Sequence, residues 1–252
     1  MPMRKSYEAH EYEYRKMKSH KIKSWSRRNY PWSISPPDKH FLEDIFIQSW
    51  APKKGQAIEL GCGTGTISRW LTKKGFIVTG IDVSQTAIKM AKAQSKGLKI
   101  KYINDDFYLI DTKPLGKYNL CIDGQFLHCI TDKKDRKTVL SKIRQILNPG
   151  GVFVVMSMCF PVSHKNFAKT YTTQKILGNV IYIEAEKYGE FQGLRIIQGK
   201  KYIPTRYIAH WKVLLSELKN AGFYPMIIKY FIHDKNTPEE PTSYLNVAAI
   251  RE

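Results

Sequence analysis

From Gln56 onward, short apolar runs alternate with stretches in which apolar residues recur every three or four positions. Ala57–Leu60, Phe76–Ile81, Leu98–Ile103, Tyr118–Ile122 and Val152–Met158 are compact and rich in β-branched residues, and read as strands. Between them, Thr66–Lys74 reads as a helix stopped by Gly75. Gln85–Ser95 reads as a helix capped by Ser84, with Ala87, Ile88 and Ala91 on one face. Asp132 caps a third helix that runs to Leu147 and meets the breaker Asn148-Pro149-Gly150-Gly151. Strand and helix in this rhythm predict a parallel sheet with both faces covered. Upstream, Phe41–Trp50 is amphipathic, with Asp38 at its N-cap position. Downstream the rhythm fails between Cys159 and Arg206. A short helix is expected at Lys165–Leu177, then hairpin-like segments around Gly189, Gly193 and Gly199. A helix at Tyr207–Ala221, ended by Gly222, and strands at Met226–Ile232 and Tyr244–Ile250 close the chain.

This pattern is that of one α/β domain over residues 1–252. It divides into an N-terminal segment (1–35), a core (40–158), an insertion after the fifth strand (159–206) and a closing helix with strands (207–252). The N-terminal segment is polar, yet Tyr7, Tyr12, Tyr14, Trp25, Tyr30 and Trp32 give it apolar surface. It is therefore expected to act as a lid over the C-terminal ends of the strands and not as a free tail.

Composition narrows the class. The apolar share is 42% and the charged share 25%, which excludes wholesale disorder. No run approaches the ~18 apolar residues of a membrane span. The first residues build no apolar signal segment, so no secretory leader is expected. Cys62, Cys121, Cys129 and Cys159 form no paired spacing, which indicates reduced thiols in a cytoplasmic protein and no metal site. The net charge of +19 points toward polyanions, and seven basic residues without an acid lie between Arg15 and Arg28. Only 10 of the 41 basic residues are Arg, however, whereas specific phosphate recognition leans on Arg. Charge runs are also usually solvated faces.

The chemistry concentrates in Glu59-Leu60-Gly61-Cys62-Gly63-Thr64-Gly65, between the first strand and the first helix. Alternate glycines let the backbone turn sharply and approach a ligand, and the helix N-terminus offers unpaired N–H groups. Asp82 ends the second strand, 21 positions after Gly61, where a carboxylate accepts from ribose hydroxyls.

In this order the motifs of residues 40–158 resemble those of the class I S-adenosylmethionine-dependent methyltransferases. The resemblance implies a Rossmann-like α/β fold with a mostly parallel seven-stranded sheet and helices on both faces. It implies S-adenosylmethionine as cofactor, S-adenosylhomocysteine as product, and no metal. Glu59, Gly61, Cys62, Gly63 and Gly65 would hold the methionine part and Asp82 the ribose, with Val83 beside it in the cofactor set. Asp106 and Phe107 would bracket the adenine, with Asp105 leaving that register open by one. Asp123 and Gly124 would line the transferable methyl. Leu147-Asn148-Pro149-Gly150-Gly151 matches the family's turn into the fifth strand.

Asn29-Tyr30-Pro31-Trp32, Leu127-His128-Cys129-Ile130 and Asp135-Arg136 are similar to the small-molecule branch of thiopurine and tellurite-resistance type. There an N-terminal Pro-Trp segment folds over the cofactor, which adds Trp32 to the cofactor set. No glycine precedes Pro31-Trp32 in the usual place, and residues 159–206 align with nothing in that branch, so its acceptor does not carry over.

Three functions follow. The first is methyl transfer to an O, N or S nucleophile of a small molecule. The second is methylation of RNA or protein through the basic N-terminal region. Asp123-Gly124-Gln125-Phe126 stands where many nucleic-acid amine methylases carry N/D-P-P-Y/F, which weakens this reading. The third is a non-catalytic cofactor-binding module, disfavoured by the intact Glu59, glycines and Asp82. His128, just after the fourth strand, is either a general base or a packed histidine. His164, His210 and His233 are not assigned. Tyr182, Tyr188, Phe191, Arg195, Tyr202 and Arg206 are positioned to shape an acceptor pocket. The oligomeric state is not legible.

Overall fold

A computed structural model describes residues 4–23, 34, 36–160, 174–185, 189–231 and 243–252. Seven strands form one sheet: β1 (Gly55–Leu60), β2 (Phe76–Asp82), β3 (Ile100–Asn104), β4 (Tyr118–Gly124), β5 (Leu147–Cys159), β10 (Phe223–Phe231) and β11 (Ser243–Arg251). Their order is β10-β11-β5-β4-β1-β2-β3. The pairs β1/β2, β1/β4, β2/β3 and β4/β5 are parallel, and β11 runs antiparallel to both β5 and β10. The strand order reverses between β1 and β4, and ligands bind open α/β sheets beyond the carboxyl ends of the strands at such a switch. Glu59, Asp82 and Asp123 all stand at those ends.

Alternation along the strands makes two cores. Ile58, Leu60, Cys121, Phe153 and Val155 face helices α5 (Lys133–Ile146) and α6 (Trp211–Asn220), which contribute Val139, Leu140, Ile143, Leu214 and Leu218. Ala57, Leu120, Ile122, Val152 and Val154 face α2 (Pro36–Phe46) and α3 (Thr66–Lys73), through Phe41, Leu42, Ile45, Ile67 and Leu71. Helices thus cover both faces, as expected. The Ser84 hydroxyl accepts the Ala87 N–H and starts α4 (Gln85–Gln94), and Asp132 accepts two N–H groups at the start of α5.

Four sequence-based boundaries are corrected. The helix expected over Phe41–Trp50 runs from Pro36 to Phe46, so Asp38 lies in its first turn and not at its N-cap. Gln174–Leu177, expected at the end of a helix, is strand β6. Its neighbours are β7 (Val180–Glu184), β8 (Arg195–Ile197) and β9 (Lys200–Tyr207), in an antiparallel sheet of order β6-β7-β9-β8. The final helix starts at Trp211 and not at Tyr207, because Tyr207 pairs with Val180 in β9 and His210 caps the helix by accepting the Lys212 N–H. The fifth strand begins at Leu147, where Asn148–Gly151 form an irregularity in the pairing with β4. The rest of that expected helix (165–173), His164, Tyr188 and His233 lie outside the described residues.

The N-terminal residues are docked. A short 3-10 turn at Ser6–Ala9 leads into α1 (His10–Ser19), which packs on α4. Tyr7, Tyr14 and Met17 are buried.

Candidate active site

The loop after β1 is built on left-handed glycines: Gly61, Gly63 and Gly65 have φ of 64°, 52° and 76°. Two of them also lack room for a side chain. A Cβ on Gly63 would lie 2.5 Å from the Tyr14 hydroxyl, and one on Gly65 would collide with the Tyr102 hydroxyl. Within the loop the Cys62 N–H donates to Ile81 O (2.9 Å), tying β1 to β2, and the Gly65 N–H donates to Cys62 O (2.8 Å).

Three buried carboxyl groups surround this loop. Asp82 accepts the Gly63 N–H and the Ser84 N–H, both at 2.8 Å, one through each oxygen. Burial pushes its pKa up to about 6, against those two donors. Glu59 accepts the Ser68 N–H at 2.7 Å and the Ser68 hydroxyl, joining the end of β1 to α3. Burial lifts it to about 8. Asp123, wholly buried, accepts the N–H groups of Phe126 and Leu127, and burial lifts it to about 7. Its Oδ2 is buried with no hydrogen-bond partner. Asp123 is thus turned toward its own turn, while Gly124 lies half-buried against Ile67.

Asp106 is half-buried and Asp105 exposed, so Asp106 is the one turned inward. It accepts the Tyr7 hydroxyl at 2.7 Å and the Tyr108 N–H at 2.8 Å. Phe107 is buried, edge-on to Phe126 at 6.3 Å. Val83 is half-buried and packs on Tyr7, Cys129 and Ile130. Trp32 lies outside the described residues, as do Trp25 and Tyr30.

His128 is buried in the turn Leu127–Cys129. Its Nδ1 accepts the Met158 N–H at 3.3 Å, so the ring proton is on Nε2. Burial, and then the positive charges of Arg206 and Arg136, hold its pKa well below the usual value, which keeps the ring neutral. Arg136 fixes this turn from below. Its guanidinium is buried, donates to Leu127 O (2.5 Å) and Ile130 O (3.4 Å), pairs with Glu217 at 2.6 Å, and lies 4.4 Å over the Tyr207 ring.

Two contributions were missed by sequence reasoning. Glu11 of α1 accepts the Ser84 hydroxyl (2.6 Å), the Thr86 N–H (3.1 Å) and the Thr86 hydroxyl (2.7 Å). Burial acts to raise its pKa, but these donors hold it down to about 2. His10 donates from Nδ1 to Tyr7 O at 2.7 Å. Neither position carries a motif.

Glycine cradle, ribose-height carboxylate and orphaned buried acceptor at one end of a 3-2-1-4-5 parallel sheet suit a nucleoside-containing cofactor bearing positive charge. They define the class that the fold and motifs resemble, the class I S-adenosylmethionine-dependent methyltransferases. Residues 57–151 match the methyltransferase domain family. A putative methyltransferase of Bacillus subtilis is 32% identical over 113 residues, covering 43% of this chain and 44% of the relative. A probable thiol methyltransferase of Arabidopsis thaliana is 24% identical over 153 residues, covering 59% and 65%. The chain therefore spans about half the length of the curated relatives it matches. Among solved structures, an S-adenosylmethionine-dependent methyltransferase of Methanosarcina mazei has the same fold, with a TM-score of 0.62 and 17% identity over 87% of this chain and 98% of that one.

The buried acids set a pH dependence. Glu59 and Asp123 bind a proton more tightly folded than unfolded, so folding takes up protons until each group's folded pKa is passed. Between about pH 7 and 8.5 the imidazoles of His10 and His128 are neutral, while the buried carboxyl groups and the buried thiols, raised by burial above their unfolded values, both favour the folded state less as pH rises. Stability to urea should therefore fall over that interval, and Glu59→Gln should reduce the fall. An unchanged slope in that variant would mean Glu59 is ionised throughout.

Proposed function

We propose that the protein transfers the methyl group of S-adenosylmethionine to a nucleophilic O, N or S atom of a small molecule. The observation that carries this reading is the Gly61–Gly65 cradle closed by Asp82, with Asp123 Oδ2 left without a partner beside it. The carboxylate of Asp82 keeps acceptor capacity beyond its two N–H donors, enough for ribose hydroxyls. Glu59 and the cradle suit the charged methionine end, and Asp106 with Phe107 the base. When bound, the cofactor supplies an activated methyl on a sulfonium, and the protein's work is alignment and exclusion of water. Residues 1–35 serve as the lid, residues 40–158 hold the cofactor, and the insertion 159–206 forms the acceptor side.

With Nδ1 engaged and Nε2 protonated, His128 acts as a hydrogen-bond donor to the acceptor. That role replaces the general base suggested by its position, since the ring has no lone pair to spare in this tautomer.

A small acceptor is supported by the docking of Tyr7, Glu11 and Tyr14, which closes the end of the cleft. The thiol methyltransferase relative has the same tenor. A cytoplasmic location is in keeping with four buried free thiols, and no helix among the described residues is long and apolar enough to cross a membrane.

Calorimetry should show one site per chain for S-adenosylmethionine and for S-adenosylhomocysteine, unaffected by a chelator. Absence of binding would remove the proposal. Nucleic-acid binding should be weak, indifferent to sequence, and abolished as salt rises, the signature of phosphate neutralisation alone. A sequence-dependent submicromolar complex at physiological salt would instead make the nucleic acid the acceptor.

A further inference from the structure

Three separate parts of the chain bring nitrogen groups together beyond the ends of β4 and β5. The turn Leu127–Cys129 carries His128, the start of α1 carries His10, and β9 carries Arg206. Strand β9 packs against both the Leu127–Cys129 turn and the Ser6–Ala9 turn, which brings the second sheet to this point. Arg206 is half-buried, and its one hydrogen bond among the described residues runs from Nη1 to the carbonyl of its neighbour Thr205 (2.8 Å). No carboxylate among the described residues pairs with it, in contrast to Lys5, which has Asp135 at 2.5 Å, and Arg136, which has Glu217. Burial is the first cause of the low pKa of both imidazoles, and the nearby guanidinium is the second. The same charge reaches Cys129, where it works against the burial that raises the thiol.

A half-buried guanidinium without a counter-ion is a standing electrostatic demand. Beside it, His128 presents an Nε2–H donor and no base. Tyr7, Ile130 and Cys129, with Val83 and Phe126 against them, form an apolar wall next to the turn.

We propose that the methyl acceptor is a small organic anion with an apolar body, its charged group held by the Arg206 guanidinium and the Nε2–H of His128. This rests on the methyltransferase reading and specifies its substrate class. The acceptor's lone pair forms the bond to the methyl carbon as the carbon–sulfur bond breaks, and that bond's electron pair stays on sulfur. Anion and sulfonium become two neutral groups, and no proton moves. A site without a base is then no defect, because the acceptor arrives already ionised.

The test uses the full chain saturated with S-adenosylhomocysteine and titrated with benzoate and with benzamide, its uncharged isostere. Calorimetry should show benzoate binding about tenfold or more tightly than benzamide. Arg206→Gln should erase that preference without changing S-adenosylhomocysteine affinity, and Arg206→Lys should restore part of it. Equal binding of the two probes, binding of neither, or a preference that survives Arg206→Gln in the folded protein would overturn the proposal. The comparison on the unsubstituted chain stands whether or not either variant folds. Failure of S-adenosylhomocysteine itself to bind is a different result, which would remove the methyltransferase reading and this proposal with it.

Discussion

A variant lacking residues 1–30 should keep a folded core and some cofactor binding, and lose turnover by on the order of a hundredfold. The segment reaches the site at four places. Tyr7 donates to Asp106, Glu11 accepts from Ser84 and Thr86, the Tyr14 hydroxyl lies against Gly63, and Lys5 pairs with Asp135. None of these supports the sheet, whose two cores are built from α2, α3, α5 and α6. Without the segment the cleft opens to water and His10 is lost from the acceptor side. Closure that excludes water and completes a site is a common control of turnover. Because Glu11 is held ionised down to about pH 2, its bonds to Ser84 and Thr86 should persist through the ordinary range of pH. Cofactor should also slow proteolysis of this segment. Normal turnover in the truncated enzyme, together with equally fast cleavage under saturating cofactor, would remove the lid.

Asp82→Ala should weaken cofactor binding by about 1–3 kcal/mol, through loss of charge-assisted hydrogen bonds to the ribose. The substitution also strips two buried N–H groups, those of Gly63 and Ser84, of their acceptor. The cradle would loosen at Gly63 and the cap of α4 at Ser84, so thermal stability should fall as well. Asp82→Asn, which retains one acceptor oxygen, should fall between the alanine variant and the natural protein. Unchanged affinity in a folded Asp82→Ala protein would place the ribose elsewhere.

What could be read from the sequence was local. Glu59, the three glycines, Asp82 and Ser84 follow rules that act within a few residues: a strand's end, a positive φ, a helix cap. Those rules place them at one end of the sheet without knowledge of anything distant. Asp106 was legible only to within one position, because Asp105 and Asp106 differ in burial and not in type. The N-terminal partners were not legible. Glu11 lies 73 positions from Ser84 and Tyr7 lies 99 from Asp106, and no periodicity encodes such pairs. The helix expected from Tyr207 failed for a similar reason: apolar residues at 207–209 suit either a strand or a helix, and pairing with β7 decided for the strand. The tautomer of His128 depends on the Met158 N–H, a neighbour supplied by the sheet.

Arg4 bridges to Phe191 by accepting the Gln192 N–H at 2.8 Å, and its guanidinium lies 4.8 Å over the Phe191 ring. Arg4 therefore finds this neighbour only after a further 188 residues have been made. At roughly 5–20 residues per second that is a wait of about ten to forty seconds. During it the core sheet can assemble strand by strand from β1 to β5, and Lys5, Tyr7, Glu11 and Tyr14 can already dock on it. The last of these contacts to form is thus the one to Phe191 and Gln192, and a chain interrupted before residue 192 would carry a cover held at Asp106, Ser84 and Asp135 but untied at Arg4.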